Sequence, residues 1–250
     1  MKALITGASS GIGSDIARVL SEQGYDIILV ARRKTRLTKL KSELKTEVEI
    51  INMDISSTYN CLELFNQINP EEVEILVNCA GFGVFGDFTT TSLDKELDMI
   101  DTNIKGLHVL TKLFLTEFTR RNRGYILNVA SAAAFGPGPL MSGYYASKAY
   151  VLHLTESIYG ELKAIRSQVG ISALCPGPVE TEFNKVAKVN FSVKPQKSID
   201  VASYAVKKMF KKKLIIIPGI KIKFAYFFSR ILPKRLLMKI NYNIQSKKEV

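Results

Sequence analysis

Three side chains in the second half of the sequence have the types and spacing for acid–base chemistry. Tyr144 and Lys148 are four residues apart in a segment with helical periodicity, so they share one face of the predicted helix and can touch. A lysine cation beside a phenol favours the phenolate, so we expect Lys148 to lower the pKa of Tyr144 below its ordinary value of about 10. Ser131 follows an apolar run and supplies a hydroxyl that can hydrogen-bond a developing negative charge.

The spacing of Tyr144 and Lys148 is not specific on its own, because in many helices it reflects only a packed ring and an exposed cation. Tyr145 is a second candidate for the acid–base residue, but a lysine stands four residues further on only for Tyr144. Ser131 ends an apolar run, and ligands bind at the carboxyl ends of parallel strands. This placement favours the functional interpretation.

A glycine-rich turn near the start of the chain predicts a dinucleotide-binding loop. Gly7, Gly11 and Gly13 follow an apolar run and stand at the start of a helical pattern. Glycines let the backbone turn tightly and approach a pyrophosphate, which the positive end of the helix stabilises. Three glycines alone are a weak signal, but the strand–turn–helix context is the one that this motif requires. The expected contacts in the loop are Gly7, Ser9, Ser10, Gly11, Ile12 and Gly13.

Two arginines follow the second apolar run and bear on the choice of cofactor. An acid at this position would bind the adenosine ribose and select NAD, but the sequence has Ala31-Arg32-Arg33. A pair of guanidinium groups can bind a 2′-phosphate, which favours NADP(H). The alternative is an ordinary solvated charge pair in a loop, and the missing acid argues against it.

Apolar runs alternate with helical patterns along the chain, and the runs are rich in Ile, Val and Leu on both faces, as in a buried parallel sheet. This pattern predicts an α/β fold, a single-domain Rossmann fold with a doubly wound parallel sheet of about seven strands. The expected strands cover residues 2–5, 26–31, 47–53, 74–79, 124–129, 171–175 and 214–217. The expected helices cover 12–23, 34–45, 58–68, 93–121, 144–167 and 198–212. We assign 1–215 to a dinucleotide-binding and catalytic domain and 216–250 to a C-terminal extension.

The basic charge of the protein is confined to its C-terminal end. From residue 206 onward the chain has 13 lysines and arginines and a single acid, Glu249. The difference, +12, equals the net charge of the whole protein. Residues 219–240 mix aromatic and aliphatic residues with six cations, a composition typical of a helix at an anionic membrane surface. The alternative is that its apolar face folds back over the substrate cleft or lies in a dimer contact. We expect Pro233 to break the segment into two helical pieces.

The 250-residue chain is long enough for a sizeable core, and its cysteines indicate a reducing compartment. Cys61, Cys79 and Cys175 are odd in number and lack metal-ligand spacing, so we expect free thiols and no metal site. The first residues form no secretory leader, and no run of 18 uncharged apolar residues occurs. We therefore expect a cytoplasmic protein. If the membrane interpretation of residues 219–240 holds, this segment brings the protein to the membrane surface.

Residues 2–215 resemble the short-chain dehydrogenase/reductase family, and the tail resembles that of an NADP-dependent bacterial subgroup. Besides the loop at 6–13 and the residues Ser131, Tyr144 and Lys148, the matching positions in family order are Asn78-Cys79-Ala80-Gly81, Asn103 and Pro176-Gly177. Two positions depart from the pattern. Cys79 stands where a second Asn is usual, and Ser10 stands where many NADP-dependent members have a basic residue, which leaves Arg32 and Arg33 to hold the phosphate.

The resemblance implies a role for each matching residue. Tyr144 exchanges a proton with the substrate oxygen, and Ser131 hydrogen-bonds the same oxygen. Lys148 binds the nicotinamide ribose and tunes Tyr144, while Asn103 organises a water that leads to Lys148. The further cofactor contacts that it implies are Asp54 and Ile55 beside the adenine, Asn78, Ala80 and Gly81 along the adenosine ribose, and Pro176, Gly177, Val179 and Thr181 at the carboxamide.

The sequence thus predicts an NADP(H)-dependent oxidoreductase that interconverts a carbonyl and an alcohol by hydride transfer. A non-catalytic NADP-binding sensor or scaffold is the alternative, although it would not need the full catalytic set. The expected substrate loop, 180–195, holds apolar residues such as Phe183 and Phe191, which indicates a partly apolar small-molecule substrate. The resemblance implies a homo-oligomer, a dimer or tetramer paired through the helices at 93–121 and 144–167. We expect no nucleic-acid partner, because the tail's charges are interleaved with apolar residues.

Overall fold

The computed structural model describes residues 1–183 and 195–246. Its seven described strands form one parallel sheet in the order β3-β2-β1-β4-β5-β6-β7, which confirms the predicted doubly wound Rossmann fold. The strands are β1 (Lys2–Thr6), β2 (Asp26–Ala31), β3 (Val48–Asn52), β4 (Val73–Asn78), β5 (Tyr125–Val129), β6 (Gly170–Leu174) and β7 (Ile215–Ile216). The order reverses next to β1, so the crevice between β1 and β4 is the expected ligand position.

Helices cover both faces of the sheet because its strands are apolar on both sides. The helices are α1 (Gly11–Glu22), α2 (Lys34–Lys41), α3 (Thr58–Gln67), α4 (Leu93–Ile100), α5 (Leu107–Arg120), α6 (Ser142–Ala164), α7 (Ser198–Met209), α8 (Ile220–Ser229) and α9 (Lys234–Gln245). On one face α1 packs against α7 over Ile5 and Leu29. On the other face α3, α5 and α6 bury Phe114 and Phe118 against β4 and β5.

Several predicted helices differ from the structure in their bounds or form; the one expected at 144–167, for example, covers Ser142–Ala164. The helix expected at 34–45 ends at Lys41, because the chain must turn so that the Thr46 hydroxyl can donate to the carbonyl of Tyr25, 2.7 Å away. The helix expected at 198–212 ends at Met209, and Lys212 adopts a positive φ of 52°. The helix expected at 93–121 contains a π-helical turn, Asp101–Gly106, between α4 and α5.

The π-helical turn lies where Gly106 packs directly on the backbone after β3. A β-carbon added at Gly106 would overlap the carbonyl oxygen of Ile55. A π turn inserts one extra residue into a helix and is found most often at functional sites. Asn103 lies within this turn, so the turn determines where Asn103 stands relative to the carboxyl edge of the sheet.

The C-terminal extension forms two helices that turn at Pro233, as predicted. One face of the pair packs on the 3₁₀-helix Ala132–Phe135 and the residues that follow it. Tyr226 of α8 packs against Phe135 with 4.7 Å between ring centroids and 53° between the ring planes, and the Asn241 amide of α9 donates to the carbonyl of Pro137 at 2.7 Å. Within the part of the chain that the structure describes, no helix is long and apolar enough to cross a membrane.

The Gly106 contact gives a stability test with a matched control. Gly106→Ala should destabilise the fold by roughly 1–3 kcal/mol, because the added methyl must push the Ile55 carbonyl and the helix apart. Gly160→Ala in α6 adds the same methyl where no atom lies within 4 Å, and it should stabilise by about 0.5–1 kcal/mol through helix propensity. Urea unfolding of both variants measures the difference. Equal effects would show that the close approach at Gly106 carries no energetic weight.

Candidate active site

The candidate site lies at the carboxyl edge of the sheet, where parallel strands bring their ends together. Thr6 is in register with Asn78, Asn78 with Asn128, and Val129 with Leu174, so the segments after β1, β4, β5 and β6 emerge side by side. Each predicted functional motif follows one of these four strands, β2 or β3. The parallel register alone therefore gathers them at one edge.

Tyr144 and Lys148 lie in the first two turns of α6, next to the segment that follows β5. Tyr144 is 9% exposed, and the neighbouring Ser131 hydroxyl favours its phenolate form. Lys148 is 5% exposed, and its Nζ donates to the carbonyl oxygen of Val129 at 2.9 Å and lies 5.9 Å from the centre of the Tyr144 ring. The structure thus brings together the three side chains that the sequence selected.

Burial controls the protonation of both groups. It raises the pKa of Tyr144 to about 12, against the opposing effect of the Ser131 hydroxyl, and it lowers the pKa of Lys148 to about 8. The expected lowering of the Tyr144 pKa by Lys148 is therefore wrong, because desolvation of the phenolate is the largest effect and Lys148 is not among the groups that shift this pKa. At neutral pH Tyr144 holds its proton and is suited to donate it.

Asn103 joins the π-helical turn to the segment after β4. Its Oδ1 accepts from the backbone N–H of Phe82 at 3.1 Å, and its Nδ2 donates to the Phe82 carbonyl at 2.9 Å and to the Ser147 hydroxyl at 3.1 Å. A β-carbon on Gly81 would lie 2.8 Å from Asn103 Oδ1 and 3.3 Å from Lys148 Nζ. Any larger residue here would have to displace the ends of both side chains. Ser147 was not predicted, although it directly precedes Lys148.

The glycine-rich loop is folded so tightly that side chains would not fit at two of its glycines. Gly7 has a φ of +66°, and a β-carbon there would lie 2.7 Å from the backbone of Ala80. A β-carbon on Gly13 would lie 2.6 Å from the Gly7 carbonyl oxygen. Ser10 is the residue before α1, and its side chain does not cap the helix. The N–H groups at the start of α1, including those of Ile12 and Gly13, therefore face the loop as an anion site.

The two arginines after β2 have different neighbours. The guanidinium of Arg33 donates to the Ser9 hydroxyl at 2.8 and 3.1 Å and to the Ser10 hydroxyl at 2.9 Å, so it lies on the glycine-rich loop. Arg32 pairs with Asp54 after β3, with 3.4 Å between Nη1 and Oδ2. Arg33 is therefore placed for a phosphate on the loop side of an adenosine, and Arg32 lies beside the expected adenine position.

Arg36 and Glu182 complete this charged cluster, and neither was predicted. The Glu182 carboxylate accepts from Arg33 Nη1 at 2.8 Å and from Arg36 Nη1 at 2.5 Å. The bonds from Arg36 and Arg33 lower the pKa of Glu182 to about 2. Arg36 lies in the first turn of α2, three residues after Arg33, and this spacing was a usable signal.

Asn78 and Ile55 have buried side chains. Asn78 is 1% exposed, and its Nδ2 donates to Asn128 Oδ1 at 2.9 Å and to Thr111 Oγ1 at 3.0 Å. These bonds tie β4 to β5 and α5, so the side chain supports the sheet edge. A cofactor contact at Asn78 or Ile55 stays a prediction that concerns their backbone.

The segment after β6 crosses towards the glycine-rich loop. The carbonyl of Pro176 accepts from the N–H of Ala132 at 2.9 Å, and Val179 bridges to Gln196. The methyl of Thr181 lies against Gly11, while Ile222 of α8 covers Gly177. Pro176, Gly177, Val179 and Thr181 thus lie in the segment that follows β6, and their cofactor contacts stay predictions. Most of the expected substrate loop, residues 184–194, lies outside the described residues.

Apolar side chains surround Tyr144 on the open side. They belong to Phe82, Val84, Phe85, Met99, Met141 and Phe183. Phe183 is 5.2 Å from Tyr144 between ring centroids, and Tyr145 on the far side accepts a hydrogen bond from Gln245 of α9. Phe88 is 67% exposed and lies outside this cluster. The walls around Tyr144 therefore suit an apolar group next to a reacting oxygen.

Comparison with known proteins gives one consistent result. The family model for short chain dehydrogenases matches residues 1–190. An uncharacterized oxidoreductase of Staphylococcus epidermidis is 35% identical over 186 residues, which covers 73% of this chain and 80% of the relative. The NADP-dependent 3-hydroxy acid dehydrogenase of Escherichia coli is 33% identical over 190 residues, 74% of this chain and 76% of that protein.

A solved structure is similar over nearly its whole length. A short-chain dehydrogenase from Sphingobium yanoikuyae in complex with NADPH superimposes with a TM-score of 0.83 at 27% identity, and the match covers 94% of each chain. The likeness therefore includes the sheet, the site edge and most of the C-terminal region.

Proposed function

This chain belongs to the short-chain dehydrogenase/reductase family and is an NADP(H)-dependent oxidoreductase acting on a carbonyl or alcohol group, and we propose that Tyr144, Ser131 and Lys148 carry its proton chemistry. The observation that carries this proposal is the buried Tyr144 next to Ser131, with the Nζ of the buried Lys148 5.9 Å from its ring centre. It lies at the strand ends next to the glycine-rich loop. A non-catalytic scaffold is not favoured, because a scaffold has no use for a buried phenol and ammonium at this edge.

NADP(H), when bound, supplies or accepts a hydride. The fit of the chain to this cofactor is supported by the backbone cradle of Gly7, Gly11 and Gly13 and by the free N–H groups of α1, which suit a pyrophosphate. Arg33, already oriented by Ser9 and Ser10, would hold the 2′-phosphate. Asp54, Ala80 and Thr181 border the same groove.

In the reducing direction the chain's own residues manage the proton. Ser131 and Tyr144 donate hydrogen bonds to the carbonyl oxygen, which polarise it and stabilise the negative charge that develops there. Tyr144 then passes its proton to this oxygen. The Lys148 cation lies close enough to stabilise the resulting phenolate, and the network of Asn103 and Ser147 leads from this pair into the protein.

Tyr144 and its neighbour provide a matched pair of variants. Tyr144→Phe should lower kcat by roughly 10²–10⁴-fold, because it removes the general acid, while the Kd for NADPH stays within about threefold. Tyr145→Phe loses only the bond from Gln245, so its kcat should stay within about threefold. NADPH oxidation with a panel of ketones and aldehydes, together with NADPH binding by fluorescence, measures both. A larger loss of turnover in Tyr145→Phe would show that the wrong tyrosine was assigned.

Arg33 should determine the preference for the phosphorylated cofactor. Arg33→Ala should raise the Kd for NADPH about tenfold or more, since a hydrogen bond to a charged group contributes roughly 1.5–3 kcal/mol, and should leave the Kd for NADH within twofold. Arg32→Ala should cost less, because Arg32 lies beside Asp54 after β3, whereas Arg33 lies on Ser9 and Ser10 of the glycine-rich loop. Arg120→Ala, at the opposite edge of the sheet, is the control and should change neither constant. An unaltered NADPH constant in Arg33→Ala would place the phosphate elsewhere.

The substrate and assembly can be described more finely as proposals. The substrate is a small molecule, and the apolar walls around Tyr144 support a partly apolar one. We propose a homo-oligomer that pairs through α4 to α6, where Leu97, Ile100 and Tyr150 are exposed. We also propose a cytoplasmic location, which the three free cysteines support.

We further propose that the outer face of the C-terminal helices contacts an anionic membrane surface. Phe224 and Phe227 of α8 are 59% and 58% exposed, and Leu236 and Ile240 of α9 are exposed as well. Residues 219–240 hold six cations and no acid. A second copy of the chain would bring a like charge to this face, whereas anionic lipid complements both its charge and its apolar groups.

Vesicle binding tests this surface. The full chain should co-sediment with phosphatidylglycerol-containing vesicles at low salt and be released at high salt, because six cations near an anionic surface contribute about 1 kcal/mol each. Phe224→Ser with Phe227→Ser should weaken binding several-fold. The control, Tyr59→Ser with Leu62→Ser on α3, removes exposed apolar side chains that lie outside both the C-terminal helices and the helices proposed to pair, and should not. Sedimentation with neutral vesicles alone, or no sedimentation at low salt, would contradict the proposal.

A further inference from the structure

The carboxylate of Glu182 lies in the middle of the arginine cluster that we assign to the 2′-phosphate. Its two oxygens accept from Arg33 Nη1 at 2.8 Å and from Arg36 Nη1 at 2.5 Å. The remaining donors of Arg33 bind Ser9 and Ser10 on the glycine-rich loop. The cluster therefore presents two guanidinium groups to a single anion with two oxygens, which is also how a phosphate is bound.

Glu182 is held in this position by its neighbours in the chain as well as by its charge. Thr181 lies against Gly11 of the glycine-rich loop, and Phe183 lies against Tyr144 in the catalytic cluster. The carboxylate thus belongs to a short segment fixed at both the cofactor loop and the catalytic tyrosine. This distinguishes the pair from a chance ion pair between two long surface side chains.

We propose that Glu182 competes with the 2′-phosphate of NADP(H) for Arg33 and Arg36, and that this competition sets how strictly the enzyme prefers the phosphorylated cofactor. The proposal rests on the proposed role of Arg33. Two anions cannot use the same guanidinium donors, so the phosphate must displace the carboxylate and then lies close to a like charge. Both steps weaken NADP(H) binding and leave NAD(H) binding unaffected.

The competition should be modest, because the cluster is partly open to water. The side chains of Arg33 and Glu182 are 44% and 37% exposed, and ion pairs at such positions are weak. Removing the charge of Glu182 should therefore strengthen binding of a 2′-phosphate by roughly three- to tenfold. A buried ion pair would instead make Glu182 essential for folding.

Adenosine 2′,5′-bisphosphate and 5′-ADP are suitable probes, since they differ in the 2′-phosphate and lack the nicotinamide. Calorimetry on the full chain should show that Glu182→Gln binds the bisphosphate three- to tenfold more tightly than the wild type, with 5′-ADP within 1.5-fold. Glu180→Gln removes the same charge from an exposed residue two positions earlier and should change neither constant. Arg36→Ala should weaken bisphosphate binding.

The outcomes separate this proposal from the proposed function. If the wild type binds the bisphosphate no more tightly than 5′-ADP, the assignment of the 2′-phosphate to Arg33 fails. If it does bind it more tightly, but Glu182→Gln leaves the preference unchanged, only the competition is wrong. A loss of 5′-ADP affinity in Glu182→Gln would identify Glu182 as a ribose ligand and overturn the competition as well.

Discussion

A lysine ammonium buried at the carboxyl edge of the sheet is the constraint on which the site depends. An unpaired buried charge is costly, so Lys148 must find acceptors within the fold, and the carbonyl that ends β5 is one of them. The backbone at Gly81 passes between Asn103 and Nζ, and a β-carbon there would lie 2.8 Å from Asn103 Oδ1 and 3.3 Å from Nζ, so it would push both side chains out of place. The same burial that makes the ammonium costly also keeps Tyr144 protonated. The position of this one charged group therefore depends on three features of the fold: the strand register, the glycine after β4 and the π-helical turn.

The sequence predicted the sheet, the glycine-rich loop and the positions of Tyr144 and Lys148, because each depends on local patterns or on strand alternation. It could not predict features that arise from contacts between distant segments. The π-helical turn around Asn103 results from the approach of Gly106 to Ile55, and periodicity over 93–121 does not show it. The direction of the Tyr144 pKa shift was missed for a related reason. Spacing shows which charge is near, whereas desolvation depends on every element packed around the phenol.

The C-terminal extension shows why composition alone left two interpretations of one segment. Its apolar residues are divided between two faces, and only the structure shows which face is covered. Tyr226 and Leu237 pack on the 3₁₀-helix after Ser131, and Gln245 bonds the tyrosine next to the acid–base residue. Phe224 and Phe227 point away from it. The extension therefore packs on the wall of the site with one face and exposes the other. A partner bound to the exposed face would be separated from the substrate cleft by the thickness of one helix.

At the other end of the site the cations that bind anions are half-exposed, whereas Lys148 is buried. Desolvation lowers the pKa of Lys148, whereas Arg33 and Arg36 are half-exposed. A half-exposed cluster binds anions weakly enough for one to exchange with another, so a carboxylate of the chain and a phosphate of the cofactor can alternate there. Because Thr181 and Phe183 flank that carboxylate, the exchange takes place between the glycine-rich loop and the catalytic tyrosine. The choice of cofactor is in this way set beside the catalytic group, by a residue outside the strand-end motif that first indicated it.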